Sequence, residues 1–157
     1  MEGIEYLKKN KQLSIVPFHG NDFIYVGMSL KELNDILWNY YLPHQTHTSG
    51  VYLMLRIILD DCICVRIDVT KQVVYAIDFI GGYKGKYLGK IGIGSTISEL
   101  QEVRDDVSFD EEYVMIGNHP YDLIFKINNQ DKTISSLEEI KNNTITEIWV
   151  ENNELLK

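Results

Sequence analysis

A seven-residue motif that occurs twice constrains the fold of this chain more than any other feature of its sequence. Residues 27–33 and 94–100 both follow the pattern G-x-[S/T]-[L/I]-x-E-L, at an offset of 67 positions (94 − 27). A short apolar segment precedes each copy, and strand-like apolar stretches follow each. One such match occurs often by chance, but two copies with the same glycine and the same Glu-Leu pair indicate an internal duplication.

Each copy of the motif is typical of a helix N-terminus. Ser29 and Thr96 are good N-cap residues, because a hydroxyl there accepts a hydrogen bond from a free backbone N–H of the first turn. Glu32 and Glu99 stand three positions later, where a carboxylate can bond back to the N–H of the cap residue. The motif therefore predicts two capped helices rather than a catalytic loop.

The segments around the motifs predict an antiparallel sheet, because they are rich in β-branched and aromatic residues and are separated by turn residues. Helices are predicted over residues 1–12, 30–41 and 97–103 with a further turn or two in 135–141, and strands over 13–18, 51–59, 62–69, 73–79, 113–116, 121–127 and 144–150. In the strand over 62–69, the alternation places Ile63, Val65, Ile67 and Val69 towards a core and Arg66 and Asp68 on the other face.

The sequence therefore predicts an α+β fold of two related units, each a helix packed on an antiparallel sheet. The first unit is predicted over residues 1–82 and the second over 83–157, either as a tandem repeat or fused into one sheet. Polar loops are predicted at residues 43–50 and 105–112, and a glycine-rich, basic connection at 81–90.

Composition narrows the class of partner. The 157 residues carry a formal net charge of −8, from 15 basic and 23 acidic residues. Nucleic acid is therefore not expected as a partner, since phosphate binding needs a basic face. The start of the chain lacks a signal-peptide pattern, and no apolar run is long enough to cross a membrane, so we expect no membrane contact and a cytoplasmic location.

The sequence contains no recognisable nucleophile–base pair, so we expect no enzymatic activity and no cofactor. Cys62 and Cys64 are expected to be buried thiols on one face of a strand. His44 and His47 have a spacing that could suit a metal, but they stand in a predicted loop without a third ligand. A phosphate-binding role for the loop around Tyr83 and Tyr87 is a second minor alternative, because the loop matches no nucleotide-binding pattern.

A group of acidic residues forms the candidate partner-binding site. An acidic loop is most often only a solvated surface, but it can also dock a basic protein. The residues predicted to make this contact are Asp105, Asp106, Asp110, Glu111, Glu112 and Tyr113.

Two family resemblances bear on function. Residues 26–33 resemble the helix start of small helix-plus-sheet modules, which include the β-lactamase-inhibitor-protein-like proteins and the outer-membrane-assembly lipoproteins. Residues 83–95, followed by residues 145–150, are similar to segments of small bacterial proteins associated with polymorphic toxin systems. The second resemblance implies an immunity protein that binds a cognate toxin, expected to be basic, in the cytoplasm and occludes its active site.

Two other classes of function remain as alternatives. One is a small-molecule-binding protein or minor enzyme with a pocket between the two units, near Tyr83, Tyr87 and the histidines. The other is a structural or phage-encoded assembly component.

Overall fold

The structure is a computed structural model that describes residue 5 and residues 8–39, 44–49 and 54–156. Its helices are α1 (Leu30–Asn39), α2 (Ile97–Val103) and α3 (Leu137–Ile140), and its strands are β1 (His44–Ser49), β2 (Met54–Leu59), β3 (Ile63–Asp68), β4 (Val73–Ile80), β5 (Val107–Phe109), β6 (Val114–Ile116), β7 (Leu123–Ile127) and β8 (Ile145–Glu151). A 3-10 turn, Asn153–Leu156, follows β8, and residues 5 and 8–10 are also helical.

The eight strands form a single antiparallel sheet in the order β1-β2-β3-β4-β8-β7-β6-β5. Each half of the chain contributes a four-stranded meander, and the two meanders join where β4 pairs with β8. At this seam Ile77 lies opposite Val150 and Phe79 lies opposite Ile148, and all four side chains are fully buried. The fold is therefore α+β with one fused sheet.

One hydrophobic core lies on one face of this sheet. It joins inward side chains from both meanders with every buried residue of the three helices, which are Leu33, Leu37, Ile97, Leu100 and Ile140. The helices therefore cover one face of the sheet, as is common for antiparallel sheets with a single buried side.

The two helix starts are fixed to the sheet by the same hydrogen bonds. Gly27 N–H donates to the carbonyl of Val74 and Gly94 N–H donates to that of Ile145, both at 2.8 Å. Both glycines have φ of +94°, a left-handed conformation that favours glycine, and a Cβ at either would meet no neighbour. Each glycine is therefore required for its backbone angle rather than for space.

The two caps differ in detail. The Ser29 hydroxyl accepts from Glu32 N–H at 3.1 Å, and the Glu32 carboxylate accepts from Ser29 N–H at 2.9 Å, which completes a capping box. Thr96 accepts from Glu99 N–H at 3.1 Å, but within the described chain the Glu99 carboxylate makes no return bond. The predicted capping box is confirmed for the first helix and only half formed in the second.

Several predicted elements are wrong. Residues 44–49 form the edge strand β1 instead of a loop, because they pair along their whole length with β2. The predicted acidic loop over 105–112 contains the short strand β5, and residues 13–18 make isolated bridges rather than a strand. Val69 was predicted to face the core but is 41% exposed, because β3 ends at Asp68. The predictions for residues 1–4, 6–7, 40–41, 43 and 50–53 concern residues outside the described part of the chain.

The connection at 81–90 is not an exposed linker throughout. Tyr83 and Tyr87 are buried in the core cluster. The Tyr83 hydroxyl donates to the carbonyl of Leu13 at 2.6 Å and accepts from the Asn21 amide at 2.8 Å. Arg104 donates to the Tyr87 hydroxyl at 2.9 Å. These tyrosines tie the connection to the rest of the molecule.

The sheet face opposite the helices is called the open face. Its side chains include Tyr113 and those of outward-facing strand residues, among them His47, Met54, Arg56, Ile58, Cys64, Arg66, Asp68, Tyr75, Ala76, Asp78, Met115, Ile124, Lys126, Glu147, Trp149 and Glu151. Five of these, Cys64, Tyr75, Ala76, Asp78 and Met115, are buried although they lie outside the core cluster. Side chains lying across the open face therefore form a second, smaller packed layer.

Candidate functional site on the open face

The centre of the open face is an ion-pair cluster built by three adjacent strands. Arg66 of β3 lies opposite Ala76 of β4, which in turn lies opposite Glu151 of β8. This register lets the Arg66 Nη2 atom donate to Asp78 Oδ1 and to Glu151 Oε1, each at 2.7 Å. The cluster therefore joins the two meanders across their seam.

The cluster is largely removed from water. The side-chain exposures are 12% for Arg66, 11% for Asp78 and 19% for Glu151. Burial raises the pKa of Asp78 to about 6, and the neighbouring Glu151 and Glu147 add to this, although Arg66 opposes it. Burial disfavours the Arg66 cation as well, but attraction by Asp78 and Glu151 outweighs it and raises the Arg66 pKa. One guanidinium is therefore shared among more carboxylates than it can neutralise.

Aromatic side chains frame this guanidinium. The Arg66 Cζ atom lies 5.6 Å from the ring centroid of Tyr75 and 5.2 Å from that of Trp149, within the range of cation–π attraction. Tyr113 packs on Trp149 with ring centroids 4.8 Å apart, and Trp149 Nε1 donates to Glu147 at 2.8 Å. Arginine and aromatic groups are thereby held in fixed positions on a partly exposed surface.

The predicted acidic residues lie around the loop that leads to Tyr113, but several are engaged in the fold. Asp106 pairs with Arg104 through both of its carboxylate oxygens, which lowers the Asp106 pKa, and it accepts from Gly117 N–H at 3.0 Å. Asp110 Oδ1 accepts from the N–H groups of Glu112 and Tyr113 at 2.8 and 2.7 Å. Their carboxylates stabilise the local turns.

The other predicted residues are placed differently. Asp105, Glu111 and Glu112 are exposed. Glu111 and Glu112 line a polar cavity of about 230 Å³ beside Tyr113, together with Lys126 and Lys132. Tyr113 thus connects the acidic loop to the aromatic and ionic centre of the open face.

The remaining candidates are not brought together as a site. His44 and His47 lie three apart on the strand β1, so their side chains point to opposite faces. Cys62 is in the core and Cys64 is on the open face, so the prediction that they share a face is wrong; both are buried, as predicted, and burial raises both pKa values to about 11. Among the described residues, no group of three or more His, Cys, Asp or Glu side chains could hold a metal ion.

Sequence reasoning missed the central cluster. Arg66 and Asp78 are 12 positions apart, and Arg66 and Glu151 are 85 apart, so no local motif reveals them. One sequence feature points to the cluster: the strand alternation predicts Arg66 on the outward face, and a charged residue in the middle of an otherwise apolar central strand requires a partner.

None of the described helices is long and apolar enough to cross a membrane. No protein-family model and no curated protein matches the sequence. The fold is similar to that in the crystal structure of the uncharacterized protein yfeY from Escherichia coli, with a TM-score of 0.59 and 13% sequence identity over 90% of this chain and 99% of that chain. At this level of identity the similarity shows a shared fold alone.

Proposed function

We propose that this protein is an immunity protein that acts in the cytoplasm by binding a cognate toxin through the open face and blocking the toxin's active site. One observation carries the proposal: Arg66, Trp149 and Tyr113 form a continuous stack on a sheet face that lies away from the helices. The sequence resemblance to toxin-associated proteins is its second support.

The composition of this stack favours protein binding. Tryptophan, tyrosine and arginine are the residues most enriched among those that dominate binding energy at protein interfaces. Here the packed layer restrains them before binding, since Trp149 is held by Glu147 and Arg66 by two carboxylates. Side chains fixed in advance lose less entropy when a partner docks.

The acidic loop gives the surface a charge. Asp105, Glu111 and Glu112 are exposed at its edge, and the whole chain has a formal net charge of −8. A basic toxin would be drawn to this side of the molecule, because complementary charge accelerates association more than it tightens the final complex. In this proposal Asp106 and Asp110 act indirectly by holding the loop, whereas Tyr113 contacts the toxin.

The proposal includes an internal duplication, with two helix–sheet units fused at β4 and β8. The equal φ angles of Gly27 and Gly94 and the equal hydrogen bonds to Val74 and Ile145 support it. The function then depends on where the units differ, because the open face carries Arg56 and Arg66 on the first meander and Glu147, Trp149 and Glu151 on the second.

A growth-rescue experiment tests the proposal. The toxin candidate is the product of the gene directly upstream, expressed in a sensitive host with or without this chain. We expect the wild-type chain to restore growth and to co-purify with the toxin. Failure of both with every neighbouring secreted toxin would remove the immunity proposal.

The two tryptophans offer a matched pair of variants. Trp149 is on the open face, whereas Trp38 is 71% exposed on α1. Trp149→Phe removes the hydrogen bond to Glu147 and replaces the indole by a smaller ring. We expect this variant to restore growth less well than the wild-type chain. The control Trp38→Phe should leave rescue unchanged, and equal effects of the two would argue against the open face as the contact surface.

A further inference from the structure

A row of basic side chains crosses the first meander on the open face. His47 of β1 lies opposite Arg56 of β2, and Arg56 lies opposite Arg66 of β3. Like charges directly opposite each other in a sheet repel, so such a row is unfavourable unless carboxylates compensate it. In this acidic protein the row is an exception that needs a physical reason.

The two arginines are compensated unequally. Arg66 is paired with Asp78 and Glu151 through a single nitrogen, Nη2. Arg56 is exposed, and in the part of the chain that the structure describes it makes no ion pair or hydrogen bond through its side chain. The guanidinium of Arg56 is therefore available to a group outside the chain.

Arg66 also has an unmet donor. Its Nε atom is buried and finds no hydrogen-bond partner among the described residues. A buried donor without an acceptor is unfavourable, so this arrangement favours binding of an acceptor that can reach it. The charge of Arg66 is already met by Asp78 and Glu151, so what Arg66 adds beside Arg56 is this unpartnered N–H donor.

The surroundings strengthen attraction to an anion. Arg56 and Arg66 lie opposite each other on β2 and β3, and the Arg66 Cζ atom lies 5.6 Å from the ring centroid of Tyr75. The Tyr75 hydroxyl, next to this row, donates to the Met54 sulfur at 3.4 Å. Charged hydrogen bonds are stronger where water is partly excluded.

We propose that Arg56 and Arg66 form a docking site for a carboxylate side chain of the protein partner. This inference rests on the proposed function and adds to it: a partner that is basic overall must also present an aspartate or glutamate to the first meander. The open face is then bipolar, with an anion site near β2 and β3 and acidic groups near β8 and the Glu111–Glu112 loop.

A titration with an acidic peptide tests the docking site without knowledge of the toxin. The probe is N-acetyl-tetraglutamate amide, and the signal is the fluorescence of Trp149 in the Trp38→Phe background, which leaves Trp149 as the one tryptophan of the two in the chain. Because Trp149 lies 5.2 Å from Arg66, bound carboxylate should alter its emission. We expect saturable, salt-sensitive binding despite the net charge of −8.

Three variants define the result. Arg56→Gln should weaken peptide binding at least tenfold, and Arg56→Lys should retain part of it, since lysine keeps the charge but lacks the planar fork of donors. Lys126→Gln removes another exposed cation of the open face and should change binding less than twofold. Circular dichroism confirms that each variant is folded.

Other outcomes would overturn the docking site. These are no saturable binding of the peptide, an equal loss in Arg56→Gln and Lys126→Gln, or tighter binding of inorganic phosphate than of the peptide, which would indicate a small-anion site. If one of these results were obtained but the wild-type chain still bound a toxin, the proposed function would be retained and the carboxylate docking site would be rejected.

Discussion

At the centre of the open face one guanidinium faces three carboxylates. Asp78 and Glu151 bond directly to Arg66, and Glu147 lies close enough to raise the pKa of Asp78 further. In this arrangement the Asp78 carboxyl group holds its proton more tightly than an aspartate side chain in water does. It therefore links the stability of this site to pH.

The sign of this linkage follows from the raised pKa. Burial raises the Asp78 pKa from 3.8 to about 6, so between these pH values the folded state binds more protons than the unfolded state. The contribution of Asp78 is fully present below pH 4 and is lost as pH rises through about 6, with a total of roughly 3 kcal/mol for a shift of about two pH units. The free energy of unfolding of Asp78→Asn, measured with urea from pH 4 to 7, should not show this decrease.

The dependence of stability on pH is compared between the proteins, and not the stability at a single pH. This is necessary because Asp78→Asn also changes the hydrogen bond to Arg66 at every pH. Asp68→Asn, which alters a carboxylate of β3 that caps the turn at Lys71, is the control and should keep the wild-type profile. Parallel profiles for wild type and Asp78→Asn would contradict the proposed proton on Asp78.

A second residue-scale feature is the turn at Tyr87–Lys90. Lys90 N–H donates to the Tyr87 carbonyl at 3.0 Å, and both central residues, Leu88 and Gly89, have positive φ, at 52° and 67°. Leu88 is also 61% exposed, so little packing offsets this strain. Turns with two positive φ angles favour Asn-Gly.

Leu88→Asn should therefore stabilise the protein by about 1 kcal/mol, read as a higher urea midpoint at an unchanged slope. Leu88→Ala serves as the control, because alanine keeps the unfavourable backbone angle and should give no gain. A lower midpoint for Leu88→Asn would show that Leu88 makes a stabilising contact that outweighs the strain.

At the scale of elements, the two helix caps make a prediction about their glutamates. Glu32 accepts from Ser29 N–H at 2.9 Å, whereas Glu99 makes no such return bond in the described chain. Both carboxylates lie in the first turn of their helix, so each should interact equally well with the positive end of the helix dipole. Glu32→Ala should cost about 1 kcal/mol of stability and Glu99→Ala a few tenths, because only the first leaves a backbone donor unsatisfied.

Thermal or urea unfolding of the two alanine variants measures this difference directly. Ser29→Ala and Thr96→Ala provide the reference, because each hydroxyl accepts the equivalent hydrogen bond from the N–H three residues later. These two variants should lose similar amounts of stability. Equal losses for Glu32→Ala and Glu99→Ala would show that the return bond contributes nothing.

The elements also show what local sequence can and cannot reveal. The helix starts at Leu30 and Ile97 and the central strands were predictable, because caps and alternation are local signals. β1 was not, since His44 to Ser49 is polar on both faces and forms a strand only by pairing with β2. The Arg66 cluster needed the register of three strands, which no local pattern contains.

On the scale of the whole molecule, we expect the seam between β4 and β8 to make the two meanders unfold as one cooperative unit. Phe79 and Ile148 lie opposite each other at the seam, and a single core runs beneath both halves. The two sequence units therefore should not unfold separately. The internal duplication that we propose therefore concerns the origin of the fold and does not divide it into separate units of stability.

Urea unfolding read at two places tests this. Trp149 fluorescence in the Trp38→Phe variant reports the second half, and protection of β3 amides from hydrogen exchange reports the first. We expect coincident midpoints for the two probes. Two resolved transitions would instead support independent units at residues 1–82 and 83–157.

In the function that we propose, the open face is the surface that binds a toxin. The most direct test of this binding is the dissociation constant between the purified chain and the toxin encoded upstream, measured for wild type, Tyr113→Ala and Trp38→Ala. Tyr113 packs on Trp149 on the open face, and Trp38 is an aromatic of α1. We predict that Tyr113→Ala weakens binding at least tenfold, about 1.4 kcal/mol, and that Trp38→Ala has no effect. Full affinity in Tyr113→Ala together with lost affinity in Trp38→Ala would contradict toxin binding by the open face.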